Sequence, residues 1–162
     1  FTARSLLSAS SFQNALERMT RSPQASGFNY TLCDLASKDV VNVEVVGDQH
    51  NIHPVETALF HTNHYVYLDG INQLISPCSQ ARYNRGIELL KTSPTPSTEN
   101  VKKILLDEQD PNHPIRRSTS DPAGTATLAT LIYDVNQERL EIVNPANPEE
   151  KPLRAIQQMA QS

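Results

Sequence analysis

The chain has 162 residues, which is about the length of one domain. Hydrophobic residues make up 38% and charged residues 20%, so the chain can bury a core and keep a charged surface. Its apolar stretches are strand-sized and far shorter than the roughly 20 residues of a membrane-spanning helix, which predicts no membrane segment. A formal net charge of −4 argues against nucleic acid as the main partner, because phosphate binding relies on clustered Lys and Arg.

The cysteines and the start of the chain bear on the cellular compartment. Cys33 and Cys78 are too few for a disulfide framework and are typical of reduced thiols in an intracellular protein. No basic leader precedes an apolar segment, so no signal peptide is visible. The chain opens at Phe1 without a methionine, however, so a leader or an upstream segment can have been removed.

The first predicted element is a helix that begins near Ser10. Ser10 and Gln13 have the spacing of a capping box, in which each side chain satisfies a backbone N–H of the other. The apolar residues that follow share one helical face: Phe12, Ala15, Leu16 and Met19.

A hairpin is predicted next. Residues 28–35 and 40–46 are rich in β-branched and aromatic side chains, and a short polar link joins them. In the second strand Asn42 and Glu44 alternate with valines, which predicts one polar and one apolar face.

The middle of the chain is predicted to be a polar loop, residues 47–54, and then an extended segment, residues 55–63. Residues 79–91 have helical periodicity, and a second helix is expected from about Ser97.

The last third is predicted to hold a long irregular loop and a second hairpin. Residues 110–124 are rich in Pro, Asp and Ser, and long loops in compact domains are often functional. Residues 125–134 and 139–144 have strand patterns, and the first of them is apolar on both faces, which predicts a strand covered on both sides. The element order predicts an α+β fold with helices packed on antiparallel sheets.

The densest group of functional residue types is the run His61, Thr62, Asn63 and His64. An asparagine amide can donate to an oxyanion without protonating it. The alternative is that Asn63 closes a turn and the histidines lie on the surface, and the spacing alone favours that alternative. Arg116 and Arg117 in the long loop can hold a carboxylate or acyl group through a bidentate contact, or can be solvated cations.

A series of short sequence segments resembles the isopenicillin N acyltransferase family of N-terminal-nucleophile enzymes. The pieces span residues 4–134 in the family's order, and the His-Thr-Asn-His motif is the most specific of them. They are Arg4-Ser5-Leu6-Leu7, Ala15-Leu16-Glu17-Arg18, His61-Thr62-Asn63-His64, Arg82-Tyr83-Asn84-Arg85, Pro114-Ile115-Arg116-Arg117, Ala126-Thr127-Leu128 and Ile132-Tyr133-Asp134.

This resemblance implies a precursor that cleaves itself before a cysteine, whose thiol then becomes the nucleophile with its own α-amine as base. It implies acyl transfer from an amide or thioester to an amine or to water, with no cofactor. The implied fold is a four-layer αββα sandwich, of which residues 1–162 form a single-domain portion, the later part of the large subunit. The family's oxyanion-hole asparagine matches Asn63, and His61, His64, Arg116 and Arg117 are expected to contact the substrate.

Two departures from the family pattern stand out. The chain has no cysteine at its start, so the expected partner is an upstream segment or subunit with an N-terminal cysteine. The penicillin-making members carry Ser-Arg-Gly where this chain has Ala123-Gly124-Thr125, which puts a penicillin-type substrate in doubt. Other branches of the family hydrolyse small N-acyl amines, and these are the nearer expectation.

Two alternatives remain open. A metal-dependent hydrolase can be built from imidazoles, and His50, His53, His61 and His64 form two His-x-x-His pairs. A non-catalytic subunit or binding module is the other alternative, because this chain by itself carries no N-terminal thiol.

Overall fold

The computed structural model describes residues 2–21, 23–93, 97–119, 121, 124–144 and, for the backbone alone, 153–155. The elements are α1 (Thr2–Leu6), α2 (Phe12–Thr20), β1 (Gln24–Cys33), β2 (Val40–Gly47), β3 (Gln49–Pro54), α3 (Pro77–Thr92), α4 (Thr98–Leu105), β4 (Thr130–Asp134), β5 (Arg139–Val143) and β6 (Leu153–Ala155). Helices and antiparallel sheets together confirm the predicted α+β class. No helix in the described ranges is long and apolar enough to cross a bilayer.

The chain forms two compact units. The first unit comprises residues 1–59 and 64–74, and the second comprises residues 60–63 and 75–162. The first contains the antiparallel sheet β1-β2-β3, and the second contains the antiparallel sheet β4-β5-β6.

The apolar core of the first unit lies between α2 and β2. Met19, Val43 and Val45 form its buried centre. Helix α2 begins one residue later than predicted, because Ser11 rather than Ser10 caps it by accepting the N–H of Asn14 at 3.1 Å. The predicted hairpin is confirmed as β1 and β2.

The predicted polar loop at 47–54 is wrong, because most of it is strand β3. β3 pairs with β2 in an antiparallel register, with Val43 opposite Ile52. Gly47, at φ 56°, and Asp48 form the connection, and a Gly-Asp pair is a recognised signal for a tight hairpin turn. That signal was available in the sequence.

The face of β2 opposite the apolar core is covered by residues 65–68, which we call the strap. The carboxylate of Glu44 is fully buried and accepts the backbone N–H groups of Val66, Tyr67 and Leu68 at 2.7, 2.9 and 2.7 Å. The polar face predicted for β2 is therefore confirmed, and it is buried rather than exposed to solvent.

Two further polar side chains belong to this region: Tyr65 of the strap itself, and Asn42, on the same face of β2 as Glu44. The Tyr65 hydroxyl donates to the carbonyl of Val45 at 3.4 Å, and burial, assisted by the charge of Glu44, raises the pKa of Tyr65. Asn42 is fully buried as well, and neither polar atom of its carboxamide has a hydrogen-bond partner among the described residues.

The second unit packs helix α4 beside β4 and buries Ile104, Ile132 and Val143. Its hairpin is confirmed as β4 and β5, although β4 begins at Thr130 rather than at residue 125. The strand was predicted to be covered on both sides. Within this chain Leu131 and Tyr133 remain 58% and 45% exposed, so one face of β4 is open.

Candidate functional site

Residues 60–63, which include the first three residues of the His-Thr-Asn-His motif, lie along helix α3 in the second unit. The ring of Phe60 packs directly over Gly86, and a Cβ at position 86 would overlap the ring carbons. Glycine is therefore required at this point of the helix if the segment is to approach it so closely.

Ser79, in the first turn of α3, holds the backbone of this segment. Its side chain is buried, at 1% exposure, and its Oγ accepts the N–H of Asn63 at 2.9 Å. The same hydroxyl donates to Thr62 Oγ1 at 3.1 Å, and Thr62 Oγ1 donates to the Ser79 carbonyl at 3.1 Å. This reciprocal pairing fixes where the backbone of Asn63 lies on the helix.

The side chain of Asn63 is exposed, and its orientation is set by Arg82. Arg82 Nη2 donates to Asn63 Oδ1 at 2.5 Å. A guanidinium has donors only, so the oxygen of the carboxamide has to face Arg82 and the Nδ2 group has to point elsewhere. Among the residues that the structure describes, none accepts a hydrogen bond from Nδ2. The arrangement thus presents an amide donor whose acceptor side is already occupied.

Cys78 lies between two guanidinium groups. Arg82 Nε donates to its Sγ at 3.4 Å, and Nη2 of Arg117 donates to the same sulfur. Asn63, Arg82, Cys78 and Arg117 therefore form one continuous series of contacts in the second unit.

Arg117, a predicted substrate contact, is mostly buried and holds the long loop together. Its Nη1 donates to Asp121 Oδ1 at 3.0 Å and to Thr125 Oγ1 at 2.8 Å. Gly124, at φ 66°, closes the turn between these partners by donating its N–H to the carbonyl of Asp121 at 2.9 Å. Ala123 of the family-specific stretch lies outside the described residues.

None of the three remaining predicted substrate contacts is hydrogen-bonded to Asn63 Nδ2 in the described structure. Arg116 Nε donates to Glu108 Oε1 at 2.7 Å. His61 Nδ1 lies 2.7 Å from the carbonyl of Thr62, which calls for a proton on Nδ1. His64 belongs to the first unit and is buried, at 8% exposure.

The histidines of the metal-dependent alternative do not converge. His50 and His53 both lie in β3, but they are three residues apart and so point to opposite faces of the strand. His53 stacks on Tyr67 with ring centroids 3.8 Å apart and borders an open cavity of about 320 Å³ lined by residues 53–59. Within the described ranges no three His, Cys, Asp or Glu side chains are grouped to hold a metal ion, so the structure gives this alternative no support.

Sequence reasoning identified Asn63 but missed Ser79 and Arg82 as its partners. Ser79 is separated from Asn63 by 16 residues and Arg82 by 19, so no local pattern relates them. Two signals were available: Arg82 heads one of the segments that match the family, and its spacing from Ser79 places both on the same face of a helix.

Comparisons with known proteins identify the family of the chain. A comparison with curated protein sequences gives no match. The family model for acyl-coenzyme A:6-aminopenicillanic acid acyl-transferase matches residues 1–149, which is most of the chain and includes Asn63, Ser79 and Arg82. The chain therefore belongs to the acyl-coenzyme A:6-aminopenicillanic acid acyl-transferase family, whose activity is acyl transfer.

Proposed function

We propose that this chain is the later part of the large subunit of an autoprocessed cysteine N-terminal-nucleophile enzyme. The enzyme moves an acyl group from a small N-acyl amine or an acyl thioester to an amine or to water. Family membership supports the reaction class. The observation that carries the proposal is the Asn63 carboxamide, held through Oδ1 by Arg82 with Nδ2 as the remaining donor.

The proposed role of Asn63 follows from the chemistry of acyl transfer. A cysteine thiolate attacks the acyl carbon, and the π electrons of the carbonyl move onto its oxygen. Asn63 Nδ2–H donates to that oxyanion. When the oxyanion collapses, the amine or thiol leaves with a proton and a thioester to the enzyme remains. Attack by water or a second amine repeats the sequence and regenerates the thiol.

The nucleophile is proposed to come from a segment upstream of Phe1. Cys33, at the end of β1, is a poor candidate, because burial raises the pKa of its thiol and so disfavours the thiolate. Cys78 lies inside a helix, where it has no α-amine of its own to act as base.

Mass spectrometry of the product of the full open reading frame tests the nucleophile. We expect two polypeptides in the native complex, one of which begins with cysteine and gains the mass of the acyl group during turnover. A single uncleaved chain, or acylation of Cys78, would contradict the proposal. A native protein in which no N-terminal cysteine is present would favour the non-catalytic module instead.

The substitution Asn63→Ala tests the oxyanion role. Loss of one oxyanion donor lowers turnover by about 10²–10³-fold. Because the side chain is exposed, we expect little change in the free energy of unfolding. Asn84→Ala is a matched control, since Asn84 is an exposed asparagine on α3 that is bonded only to Gln80 in the described structure. Equal turnover in both variants would refute the role of Asn63.

His61, His64, Arg116 and Arg117 remain proposed substrate contacts. The proximity of His61 to Asn63 in the chain supports the first of them most directly. His61→Ala is expected to raise KM more than it lowers kcat, because a group that binds substrate and transition state equally changes KM alone. An unchanged KM would remove His61 from the set.

A further inference from the structure

We infer that Arg82 is the positioning residue for the oxyanion donor. By binding Oδ1, it selects the one orientation of the Asn63 carboxamide that aims Nδ2–H at the reacting oxygen. This inference rests on the proposed function of Asn63. It adds a residue that does not touch the substrate and that acts entirely through Asn63.

The need for such a residue follows from the symmetry of a carboxamide. An exposed asparagine can turn its amide over, and the two orientations differ only in whether oxygen or nitrogen faces a given direction. With Oδ1 turned toward the substrate, the amide would present a partial negative charge to a developing negative charge and would oppose the reaction. Arg82 removes this ambiguity, because its guanidinium can donate to Oδ1 at 2.5 Å but has nothing with which to accept from Nδ2.

The positive charge of Arg82 has a second effect. A cation on Oδ1 draws electron density from the amide, which makes the Nδ2–H bond more polar and the group a stronger donor. Hydrogen bonds linked in series strengthen one another in this way. The benefit grows as charge develops on the substrate oxygen, so it is expected in kcat rather than in KM.

Helix α3 makes the arrangement rigid. Ser79 and Arg82 are three residues apart and therefore neighbours on one face of the helix. Ser79 holds the backbone N–H of Asn63 and Arg82 holds its side-chain oxygen, so one helix face fixes both ends of the residue. Arg82 is itself steadied by the 3.4 Å contact of its Nε with Cys78 Sγ. Sites held by a helix in this way are more precise than sites on free loops.

The test compares Arg82→Met and Arg82→Lys in the complete processed enzyme. Methionine keeps much of the length and removes every donor, and we expect kcat to fall about 10–10²-fold with KM nearly unchanged, as for a misplaced catalytic group. Lysine keeps a charged donor and is expected to retain more of kcat than methionine does. Arg85→Met is the matched control: it removes a guanidinium from the same helix, but one that is bonded to Asp107 in a bidentate pair. It is expected to lower stability and to leave kcat close to that of the unchanged enzyme.

A double substitution separates positioning from a general structural role. In an Asn63→Ala background, Arg82→Met should cause no further loss of kcat, because the group it orients is gone. An equal loss in both backgrounds, or an unchanged kcat in the single variant, overturns the inference. Should Arg82→Met fail to fold, Arg82→Ala, which also removes every donor, gives the same comparison in the two backgrounds. If Asn63→Ala itself leaves turnover intact, the proposed function fails. If Asn63→Ala loses turnover but Arg82→Met does not, only the role of Arg82 fails.

Discussion

The two sheets of the chain differ in how their second faces are covered. In the first unit, the face of β2 that carries Glu44 is buried under the strap, and the other face is buried under α2. In the second unit, the face of β4 that carries Leu131 and Tyr133 stays exposed, and the register with β5 places Ile142 and Leu140 opposite them. The strap therefore covers the polar face of β2 within the first unit, whereas β4 in the second unit leaves an apolar face exposed.

This difference shows which strand has both faces covered within its own unit: β2 does and β4 does not. An exposed group of large apolar side chains on a sheet indicates a surface that another element covers. The open face of β4 is therefore compatible with the αββα sandwich that the family resemblance implies, and we propose that a segment outside this chain covers it. The Glu44 face of β2 needs no such cover, because backbone donors of the strap satisfy its buried carboxylate. Elsewhere in the first sheet Phe28 and Ile52, in the outer strands, are 48% and 41% exposed.

The largest effect is expected from Glu44→Ala. The substitution leaves the backbone N–H groups of Val66, Tyr67 and Leu68 without an acceptor in a buried site. Each buried donor left unsatisfied costs about 1–3 kcal/mol, so a loss of about 3 kcal/mol or more is expected in the free energy of unfolding measured with denaturant. Glu56→Ala, at an exposed glutamate of the same unit, should change little. A loss below about 1 kcal/mol at Glu44 would mean that the strap does not depend on it.

A smaller effect, and the sharpest test of the comparison, comes from the two faces of β4. Ile132→Thr places a hydroxyl in the buried face and is expected to cost about 1–3 kcal/mol in this chain. Leu131→Thr, on the open face, should stay within about 0.5 kcal/mol in this chain and destabilise only the complete protein. The effects are measured by thermal unfolding of each variant, once in this chain alone and once in the complete protein. If Leu131→Thr is equally mild in the complete protein, nothing covers that face and the proposed sandwich is wrong.

Asn42 lies on the same buried face of β2 as Glu44, but replacing it by valine is not expected to lower the free energy of unfolding. The Asn42 carboxamide is fully buried and has no hydrogen-bond partner within the described part of the chain. Replacing such a group by an apolar one of similar shape is expected to be neutral or to stabilise by about 1 kcal/mol. Denaturant midpoints of Asn42→Val and Asn42→Asp decide it, because the charged variant should be strongly destabilised. A clear loss in Asn42→Val would indicate that a bound water or ligand satisfies Asn42.

The smallest expected effect is an alkaline loss of stability confined to the first unit. Burial raises the pKa of both Cys33 and Tyr65, so the folded chain holds these protons more tightly than the unfolded chain does. Their contribution to stability is complete below the ordinary thiol pKa of about 8.5 and the phenol pKa of about 10, and it falls as pH rises through the raised values. Unfolding followed from neutral to alkaline pH should show this decline. It should flatten in Cys33→Ala and in Tyr65→Phe, and an identical slope in either variant would contradict the assignment.

The sequence predicted those features that depend on local patterns. Alternating valines predicted β2 and its two faces, and the capping spacing at Ser10 predicted α2 to within one residue. The helix expected from about Ser97 is α4, which Ser97 caps. β3 was missed because its polar residues suggested a loop, although the Gly47-Asp48 turn signal was present. The burial of the polar face of β2 was not predictable, since Glu44 binds the strap more than 20 residues away.

In the candidate site, too, the sequence predicted one part, and long-range contacts determine the rest. Asn63 was found through the His-Thr-Asn-His motif and its resemblance to a family, not through spacing alone. Its orientation could not be predicted, because it depends on contacts from a helix that begins more than a dozen residues later. A motif identifies the reactive group, while tertiary contacts decide which of its atoms faces the substrate.

The Glu44 carboxylate also has a consequence for amide hydrogen exchange. Val66, Tyr67 and Leu68 lie in no helix or strand, so their N–H groups would ordinarily exchange with solvent deuterium within a short time. Bonded to a buried carboxylate, they exchange only when these hydrogen bonds open. These amides should therefore exchange far more slowly than those of other irregular segments, and Glu44→Ala should remove that protection.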